Sequence, residues 1–286
     1  MNDHPADTSI RAFIVTVPRE AADVASDRLW QLGVRAVEER DLAGGVVELR
    51  TSVGRDDDAV ARAAAILDPN WSWRTEDVST AAAQTWRDFA VPNWVADDLV
   101  IVPAWLDLDV PPGVTAVMIE PGGAFGLGDH PTSQLTAGAL RRELARRHPV
   151  RPGPVSVLDV GCGTGVLAVV AALSGAAPVR AVDIAGDAVE ATAANAALNG
   201  VADQIVVDDT PVGEIEGEFA IVVANILAPV LVAVAADLRR LTAIDGRLII
   251  SGILAAAHGH VIEALHPMVV VDVVERDGWV AVTLGH

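Results

Sequence analysis

The run from Val155 to Gly200, VSVLDVGCGTGVLAVVAALSGAAPVRAVDIAGDAVEATAANAALNG, limits what this chain can fold into more than any other stretch. It opens with a short apolar segment ending at Asp159, passes through Gly161-Cys162-Gly163-Thr164-Gly165, and continues as the small, apolar, helix-permissive Val166 to Leu173. That order is strand, tight loop, helix. A second apolar segment, Val179 to Val182, ends in Asp183, 22 residues after Gly161, which sets an acid at the tip of the next parallel strand. The unit is one βαβ half of a nucleotide-binding fold. Glycines admit a ligand close to the backbone, a helix start offers unpaired N–H groups, and a strand-end carboxylate can accept both ribose hydroxyls. An adenosine-bearing cofactor fits, with Asp159, Gly161, Gly163, Asp183 and its neighbour Ile184 as candidate contacts.

The spacing decides which cofactor. Dinucleotide sites follow G-x-G-x-x-G, whereas here Gly161, Gly163 and Gly165 alternate, with Asp159 two residues ahead. This D-x-G-x-G-x-G form resembles the cofactor loop of class I S-adenosylmethionine methyltransferases. S-Adenosylmethionine carries no pyrophosphate, so the extra helix-packing glycine is not needed.

Composition excludes several alternatives. With 39 acidic and 20 basic residues the formal charge is −19, which argues against nucleic-acid binding through a basic face and suits a basic partner or plain solubility. The chain contains no lysine and no tyrosine. A Schiff-base lysine, a P-loop lysine and a tyrosine acid or nucleophile are therefore ruled out. The single cysteine, Cys162, forbids an internal disulfide and a cysteine-based metal cluster, and suits a reducing cytoplasm. The polar, acidic start MNDHPADTS lacks a secretory pattern, so a cytoplasmic protein is expected. Phe219 to Ala236 is charge-free, but Asn225 and Pro229 interrupt it; it reads as a buried strand ending at Asn225 followed by a helix, not a membrane span.

In chain order, Ala12 to Val17 reads as a strand, Ala21 to Leu32 as a helix, Val34 to Glu39 and Val46 to Thr51 as strands joined by a turn at Asp41 to Gly45, Asp56 to Leu67 as a helix and Trp71 to Val78 as a strand. This βαββαβ order predicts a small α+β, ferredoxin-like domain over residues 1–79, read as a recognition module, with dimerisation or a structural role as the alternative. Ala-rich Thr80 to Phe89 predicts a helical linker within residues 80–96, and a second domain fills 97–286. There Leu99 to Val102, Gln204 to Asp208, Phe219 to Asn225 and Gly246 to Ser251 read as strands, Pro229 to Leu241 and Ala255 to Leu265 as helices, and Val269 to Asp277 with Trp279 to Leu284 as a closing strand pair. Between them, Met118 to Leu140 is a glycine-rich loop leading into a helix that begins at Thr132, with Leu135, Ala139 and Leu140 inward. Thr132 and Ser133 at that start either cap the helix or face the carboxylate of the cofactor's methionine part.

Three segments together carry a family resemblance. AFGLGDHPTS, VLDVGCGTGVLAVVAALSGA, and VVANILAPVL with LIISGIL resemble the signatures of the bacterial ribosomal protein L11 methyltransferases, and Trp86 and Val102 to Trp105 fit their linker region. The resemblance implies a seven-stranded, Rossmann-like class I α/β domain behind a substrate-binding N-terminal domain. It also implies S-adenosylmethionine as cofactor and methylation of a lysine-rich ribosomal protein, L11, on its N-terminal amine and lysine side chains. Cofactor contacts carry over to Ser133, Gly161, Asp183 and Asn225, with Phe125 closing the pocket. Leu127 and Ser133 stand where threonines are usual, Asp129 adds a carboxylate beside His130, and the basic residues usual in the linker are missing from RDFAVPNW.

Methyl transfer to an amine needs alignment and a neutral nitrogen, which a lysine of unperturbed pKa about 10.4 lacks at neutral pH. Asn225 is the candidate to orient the amine through its side-chain oxygen, where a carboxylate would favour the unreactive ammonium. His130 is a second catalytic candidate, as base. His258, His260 and His266 do not converge as metal ligands, so no metal is expected. The same fold and cofactor would also serve a lysine methyltransferase of another protein or a small-molecule methyltransferase. A monomer without a membrane or nucleic-acid partner is expected.

Overall fold

The computed structural model describes the chain except residues 1–8, 31, 33, 35–36, 54–56, 80–86, 88–89, 122–125 and 148–152. The linker helix expected over Thr80 to Phe89, and with it Trp86, lies outside the described residues apart from Arg87, as does Phe125. Two compact units result, Met1–Ala90 and Val91–His286.

In the first unit, alternation along β1 (Ser9–Pro18) sends Phe13, Val15 and Val17 into a core shared with Val47 and Leu49 of β3 (Val46–Thr51), Leu29 of α1 (Ala22–Trp30) and Ala63 of α2 (Asp57–Ala65). With β2 (Glu38–Leu42) and β4 (Ser72–Ser79) the antiparallel sheet runs β2-β3-β1-β4. β2 begins four residues and ends three residues later than the expected Val34 to Glu39, and all five of its residues are exposed at a sheet edge. Apolar pattern cannot locate such a strand; the turn at 43–45, with Gly44 and Gly45 at positive φ, sets its register against β3.

The second unit opens with β5 (Asn93–Ala96), β6 (Leu99–Pro103) and β7 (Thr115–Ile119), a three-stranded sheet. α3 (Pro131–Arg147) follows. Next come β8 (Val155–Val160), α4 (Val166–Leu173), β9 (Ala176–Val182), α5 (Gly186–Leu198), β10 (Ile205–Asp208) and β11 (Phe219–Asn225). The chain continues through α6 (Ala228–Ala233), α7 (Ala235–Leu241), β12 (Thr242–Leu254), α8 (Gly259–Ala264), β13 (Val269–Arg276) and β14 (Trp279–Gly285). The helix expected over Pro229 to Leu241 is broken at Val234, which serves as the C-cap of α6 and the N-cap of α7.

These strands form one sheet in the order β10-β9-β8-β11-β12-β14-β13, parallel except at β14, which runs antiparallel to both neighbours. Each face of the sheet has its own core. Val157, Val179, Ile221 and Ile249 pack with Leu140 and Leu144 of α3 and the apolar α4. Leu158, Val222, Leu248 and Ile250 pack with Leu231, Leu238 and Val261 of α6, α7 and α8. Strands buried on both faces read as near-continuous apolar runs, as β8 and β11 do.

Candidate active site at the carboxyl edge of the sheet

Parallel pairing puts the strand ends in line. Val160 of β8 stands opposite Val182 of β9 and Ala224 of β11, so Gly161, Asp183 and Asn225 each lie one residue beyond a common rung. In an open parallel sheet this crevice, where the strand order reverses between β8 and β11, is where ligands bind.

The loop after β8 turns on three left-handed glycines, Gly161, Gly163 and Gly165, with φ of 73°, 54° and 78°. A Cβ on Gly161 would stand 2.3 Å from Ile226 Cγ2, so the position has no room for a side chain. The N–H groups of Gly161 and Cys162 both donate to Val182 O, at 2.9 and 3.1 Å, and Gly165 N–H donates to Cys162 O at 2.7 Å. Gly163 N–H donates to Asp183 Oδ2 at 3.0 Å, while Ala185 N–H donates to Asp183 Oδ1 at 3.0 Å. These amides are committed inside the protein; the glycines offer close backbone surface and an oriented, half-buried carboxylate. Each oxygen of that carboxylate keeps a second lone pair for a ligand hydroxyl. Ile184, next to it, is 90% exposed.

Asp159 lies below the loop at 1% exposure, its Oδ2 accepting the Ala168 N–H of the first turn of α4 at 3.1 Å. Its Oδ1 has no hydrogen-bond partner among the described residues, and neither has the buried Ser133 Oγ in the first turn of α3. Burial pushes the Asp159 carboxyl up to about 7, with the Asp183 charge adding to the rise and the Ala168 N–H opposing it. The fold therefore holds the Asp159 proton after an unfolded chain has released it. The contribution of Asp159 to stability falls as pH rises from about 4 to about 7 and is level above, by as much as about 4 kcal/mol at about 1.4 kcal/mol per pH unit. Asp159→Asn removes that slope: chemical denaturation at pH 5 and pH 8 should show wild type losing stability relative to the variant. Equal losses in the two proteins would refute the assignment. Burial also raises the Cys162 thiol well above its usual range, so this cysteine is an inert packing group.

His130 caps α3. Its Nδ1 accepts the Thr132 N–H at 3.3 Å and stands 2.8 Å from Thr132 Oγ1, which assigns the ring proton to Nε2. Burial lowers its pKa, Asp129 opposing, so the ring is neutral at physiological pH. Trp279 meets it edge-on at 5.0 Å. Gln134 Nε2 holds the carbonyls of Gly128 and Asp129 at 3.2 and 3.1 Å, fixing the loop ahead of His130. Among the described residues no cluster of His, Cys, Asp and Glu could hold a metal, and no helix is long and apolar enough to cross a membrane.

The sequence reading missed three polar groups, two buried on the inner face of α5 and one half-buried at its C-cap. Thr192 and Asn195 reach the glycine loop, and Asn199 brackets Met118 through its main-chain N–H and O at 2.8 and 2.7 Å. The signal was present as asparagines at i and i+4 within an otherwise Ala-rich helix.

A seven-stranded sheet of this order, with a glycine loop after its first strand and a carboxylate at the tip of the second, defines the class I S-adenosylmethionine-dependent methyltransferase fold. The family model described as "Ribosomal protein L11 methyltransferase (PrmA)" matches residues 61–286. The chain belongs to this family. A ribosomal protein L11 methyltransferase of Geotalea daltonii is 36% identical over 208 residues, 71% of this chain and 66% of the relative. One of Geobacter sulfurreducens is 40% identical over 224 residues, 78% of this chain and 70% of the relative. The aligned stretches thus span about two thirds of these relatives' own length. Among solved structures, a ribosomal protein L11 methylase from Lactobacillus delbrueckii subsp. bulgaricus superposes with a TM-score of 0.61 at 30% identity, covering 69% of this chain and all of that one.

Proposed function

We propose that this chain transfers methyl groups from S-adenosylmethionine to the N-terminal amine and lysine side chains of ribosomal protein L11. The names of its relatives support the substrate, and a formal charge of −19 complements a basic protein. The observation that carries the amine chemistry is Asn225, a neutral amide one residue beyond the rung that also presents the glycine loop and Asp183.

Bound S-adenosylmethionine supplies an electrophilic methyl group on a sulfonium sulfur. Asp183 holds the ribose hydroxyls, and exposed Ile184 offers apolar surface to the adenine. Ser133 Oγ, at the N-terminal turn of α3, would donate to the carboxylate of the methionine part, with Thr132 shaping that turn; Asp159 Oδ1, once ionised above about pH 7, would accept from its ammonium. Gly161 and Gly163 keep the floor free of side chains. His130, its Nδ1 occupied by the start of α3, acts as a positioning group, and the proton leaves the amine to water. Asn225 Oδ1 accepts an N–H of the incoming neutral amine and turns its lone pair toward the methyl group. The Met1–Ala90 unit serves as the recognition module.

Asn225→Asp replaces a neutral acceptor by a carboxylate that stabilises the ammonium. Activity at pH 8 should fall about 10- to 100-fold and the pH–rate profile should move to higher pH by one to two units. A variant profile that superimposes on that of the wild type would sink the role of Asn225. Mass spectrometry of the L11 product tests acceptor chemistry directly: methyl groups on amines support the reading, and methyl groups on oxygen or carbon only would refute it.

A further inference from the structure

The glycine loop is held from behind by side chains with no place in the methyl-transfer chemistry. On α5, Thr192 Oγ1 lies 3.1 Å from Gly163 O and 3.2 Å from Cys162 Sγ. One turn further, Asn195 Nδ2 donates to Thr164 O and to Glu120 O, both at 2.9 Å, while its Oδ1 accepts Glu120 N–H at 2.9 Å. Thr164 itself donates through Oγ1 to Gly126 O at 2.7 Å. Thr164 and Thr192 are wholly buried, and Asn195 is 1% exposed.

The carbonyl and N–H of a trans peptide lie in its plane and point in opposite directions. Fixing the Gly163 carbonyl toward α5 therefore turns the Thr164 N–H away from α5. Asn195 ties the same loop to Glu120, the residue after β7, and the Thr164 hydroxyl ties it to Gly126, ahead of the His130 cap. Thr164 is thus joined directly to the Gly126 carbonyl and, through the Asn195 amide, to that of Glu120. At Gly126, which has φ +114°, a Cβ would stand 2.8 Å from Thr164 Oγ1, so the threonine side chain packs directly on the Gly126 backbone.

We infer that Thr164, Thr192 and Asn195 are positioning residues for the cofactor: they set the peptide planes of the glycine loop and lock it to the chain on either side of the segment 121–125. This rests on the loop being the S-adenosylmethionine site. Removing the Thr164 hydroxyl leaves the Gly126 carbonyl without its buried donor and loosens the loop, an effect that should appear in cofactor affinity rather than in acceptor recognition.

The test uses the full-length chain and titration calorimetry with S-adenosylmethionine, followed by steady-state kinetics. Thr164→Val, which keeps the shape and loses the hydroxyl, should raise the Kd for S-adenosylmethionine about 10-fold, and Thr164→Ser should stay within about twofold of wild type. The KM for the methyl acceptor should not change, and kcat at saturating cofactor should stay within about threefold. Thr192→Val should show the same split and carries the test if Thr164→Val does not fold. Wild-type affinity in both valine variants, or a loss in Thr164→Ser as large as in Thr164→Val, would overturn the inference. Failure of the wild-type chain to bind S-adenosylmethionine would overturn the site reading itself, a distinct outcome.

Discussion

Asp183→Ala is expected to weaken S-adenosylmethionine binding by about 100-fold or more while the sheet stays folded. Two charge-assisted hydrogen bonds to a ribose diol contribute about 1.5–3 kcal/mol each, and each 1.4 kcal/mol is a factor of ten. The alanine also releases the Gly163 and Ala185 N–H groups, which both donate to this carboxylate at 3.0 Å, so the loop loses its partner as well as the ligand. Asp183→Asn is no repair. Its NH2 group must face one of two N–H donors that each require an acceptor. Calorimetry on both variants, with circular dichroism to confirm the fold, checks this; affinity within threefold of wild type in the alanine variant would rule out Asp183 as the ribose anchor.

The second large effect is on stability. Gly252 lies in an irregularity of β12, between the rungs at Ile250 and Ile253, with φ +85°. A Cβ there would stand 2.3 Å from Ile226 O and 2.8 Å from Ile226 C, main-chain atoms of the residue after Asn225. Backbone cannot rotate out of the way as a side chain can. Overpacking of about 1–3 kcal/mol and left-handed strain of about 1–2 kcal/mol for alanine combine to about 2–5 kcal/mol, a fall in Tm on the order of 10 °C for a unit of this size. Any folded Gly252→Ala protein should also have reduced kcat, because relief of the clash moves Asn225. Gly217, at φ +88° with nothing within 4 Å of where a Cβ would stand, provides the control in which only the backbone strain of about 1–2 kcal/mol is lost. Thermal unfolding that is equal for Gly252→Ala and Gly217→Ala would contradict this account.

The parts of the site carried by local chemistry were legible in the sequence. A strand, three alternating glycines and a helix can be read from residues 155–173 because the loop needs left-handed backbone at fixed positions. Asp183 and Asn225 were legible as polar residues ending apolar runs. What long-range pairing decides was not. β5 and β7 escaped notice because each is only four or five residues long and neither is a continuous apolar run, and Asn199 and Asn195 hold the main chain of Met118 in β7 and of Glu120 just after it from across the fold. The start of β9 at Ala176, three residues before the apolar run, comes from pairing with Val155. His130 as an N-cap was hidden because imidazole is rarely the capping group, whereas Thr132 and Ser133 beside it suit the role by type.

Methyl transfer itself is the most direct test of the central claim. Radiolabelled S-adenosylmethionine is incubated with the full-length chain and purified ribosomal protein L11, with Asp183→Ala as control, and the label is located by proteolysis and mass spectrometry. The account predicts label on the L11 N-terminal amine or lysine side chains, lost with Asp183→Ala. Cofactor binding without any label in L11, or transfer undiminished in the Asp183→Ala variant, would contradict it.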